Sequence, residues 1–245
     1  MSEMIIGRNA VLEALRSDRE IERISISRGA EGSARQIAAK AREKGIPLCY
    51  EEKKRMDRQA AGGTHQGVIA VVSDYRYAAV EDILARAEER GEAPFLLLLD
   101  GLEDPHNLGA IIRTAECAGV HGVIIPKRRA AAVTETVAKT SAGAVEHMLC
   151  ARVVNIGNEI DRLKQRGLWI GACDMGESLC YDGDFTGPVG LVIGGEGKGV
   201  SRLVKQKCDF AVSIPMRGKI GSLNASNAAA ILMYEVVRQR LRECR

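Results

Sequence analysis

The residues with the chemistry to act lie in three loops. Glu196 stands inside Gly194-Gly-Glu-Gly-Lys-Gly199, an acid among glycines, where it can orient a neighbour or accept a proton. Asn107 and Asn224 are short amides ahead of apolar helical runs, placed to cap a helix and hold a ligand at once. Ser222 offers a hydroxyl two residues before Asn224. Arg113 follows Asn107 by six positions. A guanidinium with an ordinary pKa of about 12.5–13.8 stabilises negative charge far more readily than it removes a proton. His106, beside Asn107, is read as a loop residue, and His121 and His147 as structural. Cations recur at loop positions: Lys127, Arg128 and Arg129 after one strand, Lys198 in the glycine loop, Arg217 and Lys219 in the last loop. Such positions suit RNA phosphates.

The glycine loop is not a P-loop. No glycine stands five residues before the Gly197-Lys198 pair, and no Ser or Thr follows Lys198. Nor does it have Gly-x-Gly-x-x-Gly spacing, which argues against a Rossmann-type dinucleotide site. No metal site is expected: the seven cysteines include no C-x-x-C pair.

The elements that position these loops follow from periodicity. Phe95–Leu99 and Val189–Ile193 are continuous apolar runs, as buried parallel strands are. Gly122–Pro126, Leu168–Cys173 and Ala211–Ile214 read as further strands, and Leu108–Cys117 and Asn155–Arg166 as helices. Val133–Ala144 is helical in composition, and a last helix runs to about Arg240. Asn107 is the expected cap of the helix that carries Arg113. This alternation predicts an α/β fold with a parallel sheet and ligand loops at its carboxyl edge. Residues 1–74 predict a smaller αβ unit: helices at Arg8–Arg16, Ser33–Lys44 and Lys53–Ala60, strands at Ile21–Ser27, Ile46–Tyr50 and Gly67–Ser73. Residues 75–94 read as a linker with a polar helix, and 95–245 as the catalytic domain.

Three stretches carry a family resemblance. Asp100-Gly-Leu-Glu-Asp-Pro-His-Asn-Leu-Gly-Ala-Ile-Ile-Arg-Thr-Ala, Leu191-Val-Ile-Gly-Gly-Glu-Gly-Lys-Gly-Val and Ser222-Leu-Asn-Ala-Ser-Asn-Ala-Ala-Ala resemble, in order, the three motifs of the SpoU/TrmH methyltransferases. Ala225 stands where Val is usual. The resemblance implies a trefoil-knotted SPOUT domain that binds S-adenosylmethionine near Gly194, Ile214 and Leu223, with Gly195, Met216, Ser222 and Asn224 beside them. It also implies a catalytic Arg113, a homodimer and 2′-O-methylation of an RNA ribose. Gly7-Arg-Asn-Ala-Val-Leu-Glu-Ala-Leu15 and Gly63-Thr-His-Gln-Gly67 resemble the L30e-like RNA-holding domain of longer members, which implies RNA contacts at Arg8, Thr64, His65 and Gln66. That combination is most similar to enzymes acting on guanosine in 23S ribosomal RNA. Transfer RNA is the runner-up substrate, and a non-catalytic ribosome-assembly factor of the same fold is the rival of another class.

Bulk properties fit this reading without requiring it. A net charge of +3 leaves nucleic-acid binding to local clusters. No run approaches the ~18 apolar residues of a membrane span, so a cytoplasmic protein with reduced, inert thiols is expected.

Overall fold

The structure, a computed structural model, describes residues 3–17, 21–72, 75–197 and 199–243. The elements before residue 95 are β1 (Glu3–Ile6), α1 (Arg8–Arg16), β2 (Ile21–Ser27), α2 (Ser33–Glu43), β3 (Leu48–Glu51), α3 (Lys53–Gln59), β4 (Val68–Val72) and α4 (Val80–Glu89). After it come β5 (Phe95–Asp100), α5 (Pro105–Cys117), β6 (Gly122–Pro126), α6 (Glu135–Thr140), β7 (Leu149–Val153), α7 (Ile156–Gln165), β8 (Trp169–Leu179), β9 (Val189–Gly194), α8 (Arg202–Lys205), β10 (Phe210–Ser213) and α9 (Ala225–Glu243). They divide into two compact units: Met1–Arg76 with Val133–His147, and Tyr77–Ala132 with Met148–Arg245.

The first unit is a four-stranded sheet in the order β1-β4-β2-β3, antiparallel except for the β2–β3 pair. Helix α1 presents Ala10, Val11, Ala14 and Leu15, and α2 presents Ala34, Ile37, Ala38 and Ala41. These side chains recur every three or four positions, so each helix buries one stripe in a core shared with Ile24, Val68 and Ala70. β1 had no counterpart among the sequence-derived strands.

Val133–His147 also belongs to this unit rather than to an unbroken block over 95–245. Val137 and Ala138 of α6 are fully buried. Ser17 Oγ donates to Glu146 Oε2 at 3.1 Å, and His147 Nε2 lies 2.5 Å from Glu13 Oε2. Helical composition alone could not say which core would cover the Val137–Ala138 face.

The second unit holds a six-stranded parallel sheet in the order β10-β8-β9-β5-β6-β7. β5 and β9 lie inside it and are buried along almost their whole length, as their continuous apolar runs require. α4 is part of this core and not a linker: Val80, Ile83 and Ala87 are buried. Gly122 has no side chain because Ile83 occupies that space; a Cβ there would come within 2.5 Å of Ile83 Cδ1. β8 continues six residues beyond the strand expected from sequence.

α9 packs its Ala229, Leu232, Met233 and Val236 face inward, with α5 as its main helical neighbour. Its far end is stitched down by polar groups. Gln239 Nε2 donates to Gly183 O at 2.9 Å, and Arg240 donates to Ala93 O and Gly187 O at 2.8 Å each. Arg238 and Gln239 hydrogen-bond to the buried Glu235, and the Arg238 guanidinium holds its carboxyl below the usual range. Among the described residues, no helix is long and apolar enough to cross a membrane and no cluster of side chains suits a metal ion. Burial pushes the Cys208 thiol up to about 11 and the Cys173 thiol higher still, so both stay protonated.

Candidate active site

Because all six strands of the second sheet run parallel, the loops after β5, β6, β9 and β10 leave its same edge. Three of them converge through side chains. Asn224 caps α9: its Oδ1 accepts from Ser226 N at 2.9 Å and from Ser226 Oγ at 2.6 Å. That use of the oxygen turns Nδ2 outward, where it donates to Asn107 Oδ1 at 3.0 Å and Glu196 Oε1 at 3.2 Å. With its oxygen accepting, Asn107 directs its own Nδ2 to Glu196 Oε1 at 2.6 Å. The cap thus sets the orientation of both amides, and one carboxylate oxygen receives two N–H donors.

Asn107 is buried and lies in the first turn of α5, not at its cap. The cap is Asp104, whose Oδ1 accepts from His106 N at 2.8 Å, with Pro105 opening the helix. Shifting the start three residues earlier frees the Asn107 amide to reach across loops. His106 is accordingly an exposed residue of that first turn.

The glycine loop is held by backbone contacts. Asp100 O accepts from Gly195 N at 2.9 Å, and Asp100 Oδ2 accepts from Ser201 N at 2.8 Å. A Cβ on Gly195 would sit 2.2 Å from Gly101 O, and one on Gly194 would sit 2.0 Å from the carbonyl carbon of Gly199. Only glycine permits this closeness. Asp100 was missed as a site-building residue; its signal was an acid ending an apolar strand.

Ile214 to Leu223 carries no hydrogen bond among the described residues, so its amides and carbonyls are available. Met216, Ile220 and Leu223 expose apolar side chains on the same stretch. Open backbone groups beside apolar cover suit a ligand with a polar amino-acid end and a flat nucleoside end, the character of S-adenosylmethionine.

Other candidates stand apart from the Asn107–Glu196–Asn224 triangle. Arg113 is exposed and makes no hydrogen bond or ion pair among the described residues. Six residues on from Asn107 is about 240° around the helix, so it points to another side. Glu196 therefore orients Asn107 and not Arg113. Ser222 is exposed and makes no hydrogen bond among the described residues. Lys127, Arg128 and Arg129 are exposed after β6, as are Arg217 and Lys219 after β10. Lys198 lies outside the described residues.

In the first unit, Arg8, Thr64 and Gln66 border one cavity. His65 lines the same cavity but is buried: Nδ1 accepts from Gly67 N at 3.0 Å, and Nε2 pairs with Asp57 Oδ1 at 2.9 Å. Both ring nitrogens are spent on holding the loop.

Comparison with known proteins gives the family. Residues 94–234 match the SpoU rRNA Methylase family, and residues 4–78 match the RNA 2′-O ribose methyltransferase substrate binding domain. YacO of Bacillus subtilis (strain 168), assigned by name to the TrmH family of tRNA/rRNA methyltransferases, is 48% identical over 242 residues, covering 97% of this chain and 96% of its own. The crystal structure of AviRb from Streptomyces viridochromogenes, a SpoU methyltransferase in complex with AdoMet, superposes with a TM-score of 0.83 at 28% identity, covering 98% of this chain and 91% of that one. An rRNA methyltransferase from Sinorhizobium meliloti gives a TM-score of 0.80 at 27% identity, covering 97% and 87%. The chain belongs to the SpoU rRNA methylase family and is an S-adenosylmethionine-dependent RNA 2′-O-ribose methyltransferase with its own substrate-binding domain.

Proposed function

We propose that this enzyme methylates the ribose 2′-oxygen of a guanosine in 23S ribosomal RNA, in the cytoplasm. One observation carries the choice of ribosomal RNA: the protein named an rRNA methyltransferase matches the two units together, over 97% of the chain. Guanosine follows the sequence resemblance of the two-domain arrangement. Transfer RNA is the second reading, favoured by the name of the 48% identical relative, which includes both substrates.

Bound S-adenosylmethionine supplies an electrophilic methyl group. Gly194, Gly195, Ile214, Met216, Ser222, Leu223 and Asn224 would hold it, with the apolar side chains excluding water. Asn107 and Glu196 brace the loops and fix the reacting centre. Arg113, without an ion-pair partner among the described residues, bridges the neighbouring phosphate and the 2′-oxygen. It lowers the hydroxyl's pKa by stabilising the developing alkoxide. Lys127, Arg128, Arg129, Lys198, Arg217 and Lys219 meet RNA phosphates. The enzyme works as a homodimer: Ile231, Tyr234 and Leu241 leave an apolar stripe exposed on α9, spaced as one helix face.

The test is transfer of labelled methyl groups to unmodified 23S and transfer RNA in separate pools, with nuclease mapping and Arg113→Ala alongside. A 2′-O-methylguanosine in 23S RNA that disappears in the variant supports the proposal. Label confined to transfer RNA overturns the substrate choice.

A further inference from the structure

The first unit contains a cavity of about 800 Å³. Arg8, Arg28 and Lys53 all line it, against a single carboxylate, Asp57. One oxygen of Asp57 is already engaged by His65. Arg8 is fixed in place, with Nε donating to Gln66 O at 2.8 Å. Its two terminal nitrogens, and the side chains of Arg28 and Lys53, have no partner among the described residues. Three cations against one carboxylate around one concavity repel each other unless a further anion joins them. Arg8 and Lys53 are moreover the first residues of α1 and α3, where the helix dipole disfavours a cation.

The rest of the lining is not that of a simple phosphate track. Asn9, Ser33, Thr64 and Gln66 contribute amides and hydroxyls, the groups that pair with base edges. Gln66 holds a left-handed backbone, φ 51°, and its Oε1 receives Arg8 N at 3.3 Å, which sets the direction of its amide. The volume lies in the range of small-ligand clefts and well above what one phosphate needs.

We propose that this cavity takes one unpaired nucleotide of the RNA substrate. The three cations meet its phosphates, and the amides of Asn9 and Gln66 read its base. This rests on the reading of the chain as an RNA methyltransferase and adds where, and by what chemistry, its first unit selects RNA. Duplex RNA cannot present a base to such a pocket; a loop or bulge can.

The experiment uses full-length enzyme and four fluorescent tetranucleotides, each a homopolymer of one base, plus a short RNA duplex. Binding is measured by anisotropy across a salt series. The wild type is expected to rank the four bases and to prefer single strands. Arg28→Ala and Lys53→Ala should weaken all four and each lower the salt slope by about one. Gln66→Asn, which tolerates the left-handed backbone, should compress the base ranking by roughly tenfold and leave the salt slope alone. Two results overturn the pocket: equal affinity for all bases and for duplex, or a ranking that Gln66→Asn does not move. Amide hydrogen exchange in β2 and β4 checks that the first unit of each variant is folded. The same samples are assayed on 23S RNA. Methylation there without base ranking sinks only the pocket, and base ranking without methylation sinks only the substrate assignment.

Discussion

Asn107 donates its amide to Glu196 across 2.6 Å, joining the first turn of α5 to the glycine loop after β9. The same carboxylate oxygen accepts from Asn224 at 3.2 Å, so one atom ties three loops together. Glu196→Gln can turn its own NH₂ toward those donors, and Asn107→Asp faces one carboxylate with another. Both variants should lose cofactor affinity together with kcat, the aspartate more severely, because repulsion opens the loops while the glutamine can rotate. Calorimetry with S-adenosylmethionine checks this. An unchanged affinity in Asn107→Asp would mean that the triangle does not shape the cofactor loops.

Gly195→Ala should be costly for a different reason. The added methyl would lie 2.2 Å from Gly101 O, which is backbone and cannot swing aside. A loss of about 1–3 kcal/mol in urea unfolding is expected, with the glycine loop displaced. Stability and cofactor binding within error of wild type would refute that packing argument.

Arg113→Ala separates chemistry from folding. The side chain is exposed and makes no bond among the described residues, so the melting temperature should barely move, within the ~0.5 kcal/mol usual for surface changes. If it stabilises the developing alkoxide, methyl transfer falls by roughly 10²–10³ while cofactor affinity holds. Lysine at the same position should recover little, since it lacks the fork that spans phosphate and ribose oxygen. Full activity in Arg113→Ala would remove it from the mechanism.

His121 gives the second unit an acid-sensitive joint. It is wholly buried, Nδ1 accepts from Phe95 N at 3.0 Å, and Nε2 pairs with Glu92 at 3.1 Å. Burial lowers its pKa from 6.5, with Glu92 opposing and Arg90 and Arg240 assisting. As pH falls through 6.5, the unfolded chain takes up a proton that the folded chain refuses, so stability drops on the acid side. Unfolding free energies at pH 8, 6 and 5 should therefore decline more in wild type than in His121→Gln. Parallel declines would show that His121 titrates alike in both states.

Much of the catalytic unit was legible because its signals are local. Continuous apolar runs such as Phe95–Leu99 declare a buried strand, and Gly122–Pro126 was bounded correctly by its flanks. The motif residues Asn107, Glu196 and Asn224 could be picked out one by one. Their mutual bonds could not, because they join residues 89 and 117 positions apart in sequence. The cap of α5 was misplaced because Asp104-Pro105 is as good a start signal as Asn107 and lies earlier. α4 was read as a linker because its acids and Arg86 make it a polar helix; the burial of Val80, Ile83 and Ala87 was enough to recruit it. His65 could be picked out by type, but that both its ring nitrogens hold the loop could not, since sequence does not show which way a ring faces.

The return of Val133–His147 to the first unit bears on how the chain is made. A ribosome delivers residues 1–76 long before 133–147, so the emerging first unit must wait with the bed for α6 uncovered. Its completion falls after β5 and β6 have been synthesised, which interleaves the assembly of the two units in time. A fragment cut at residue 76 would lack that closing piece, and so would a gene divided at the apparent boundary near residue 94.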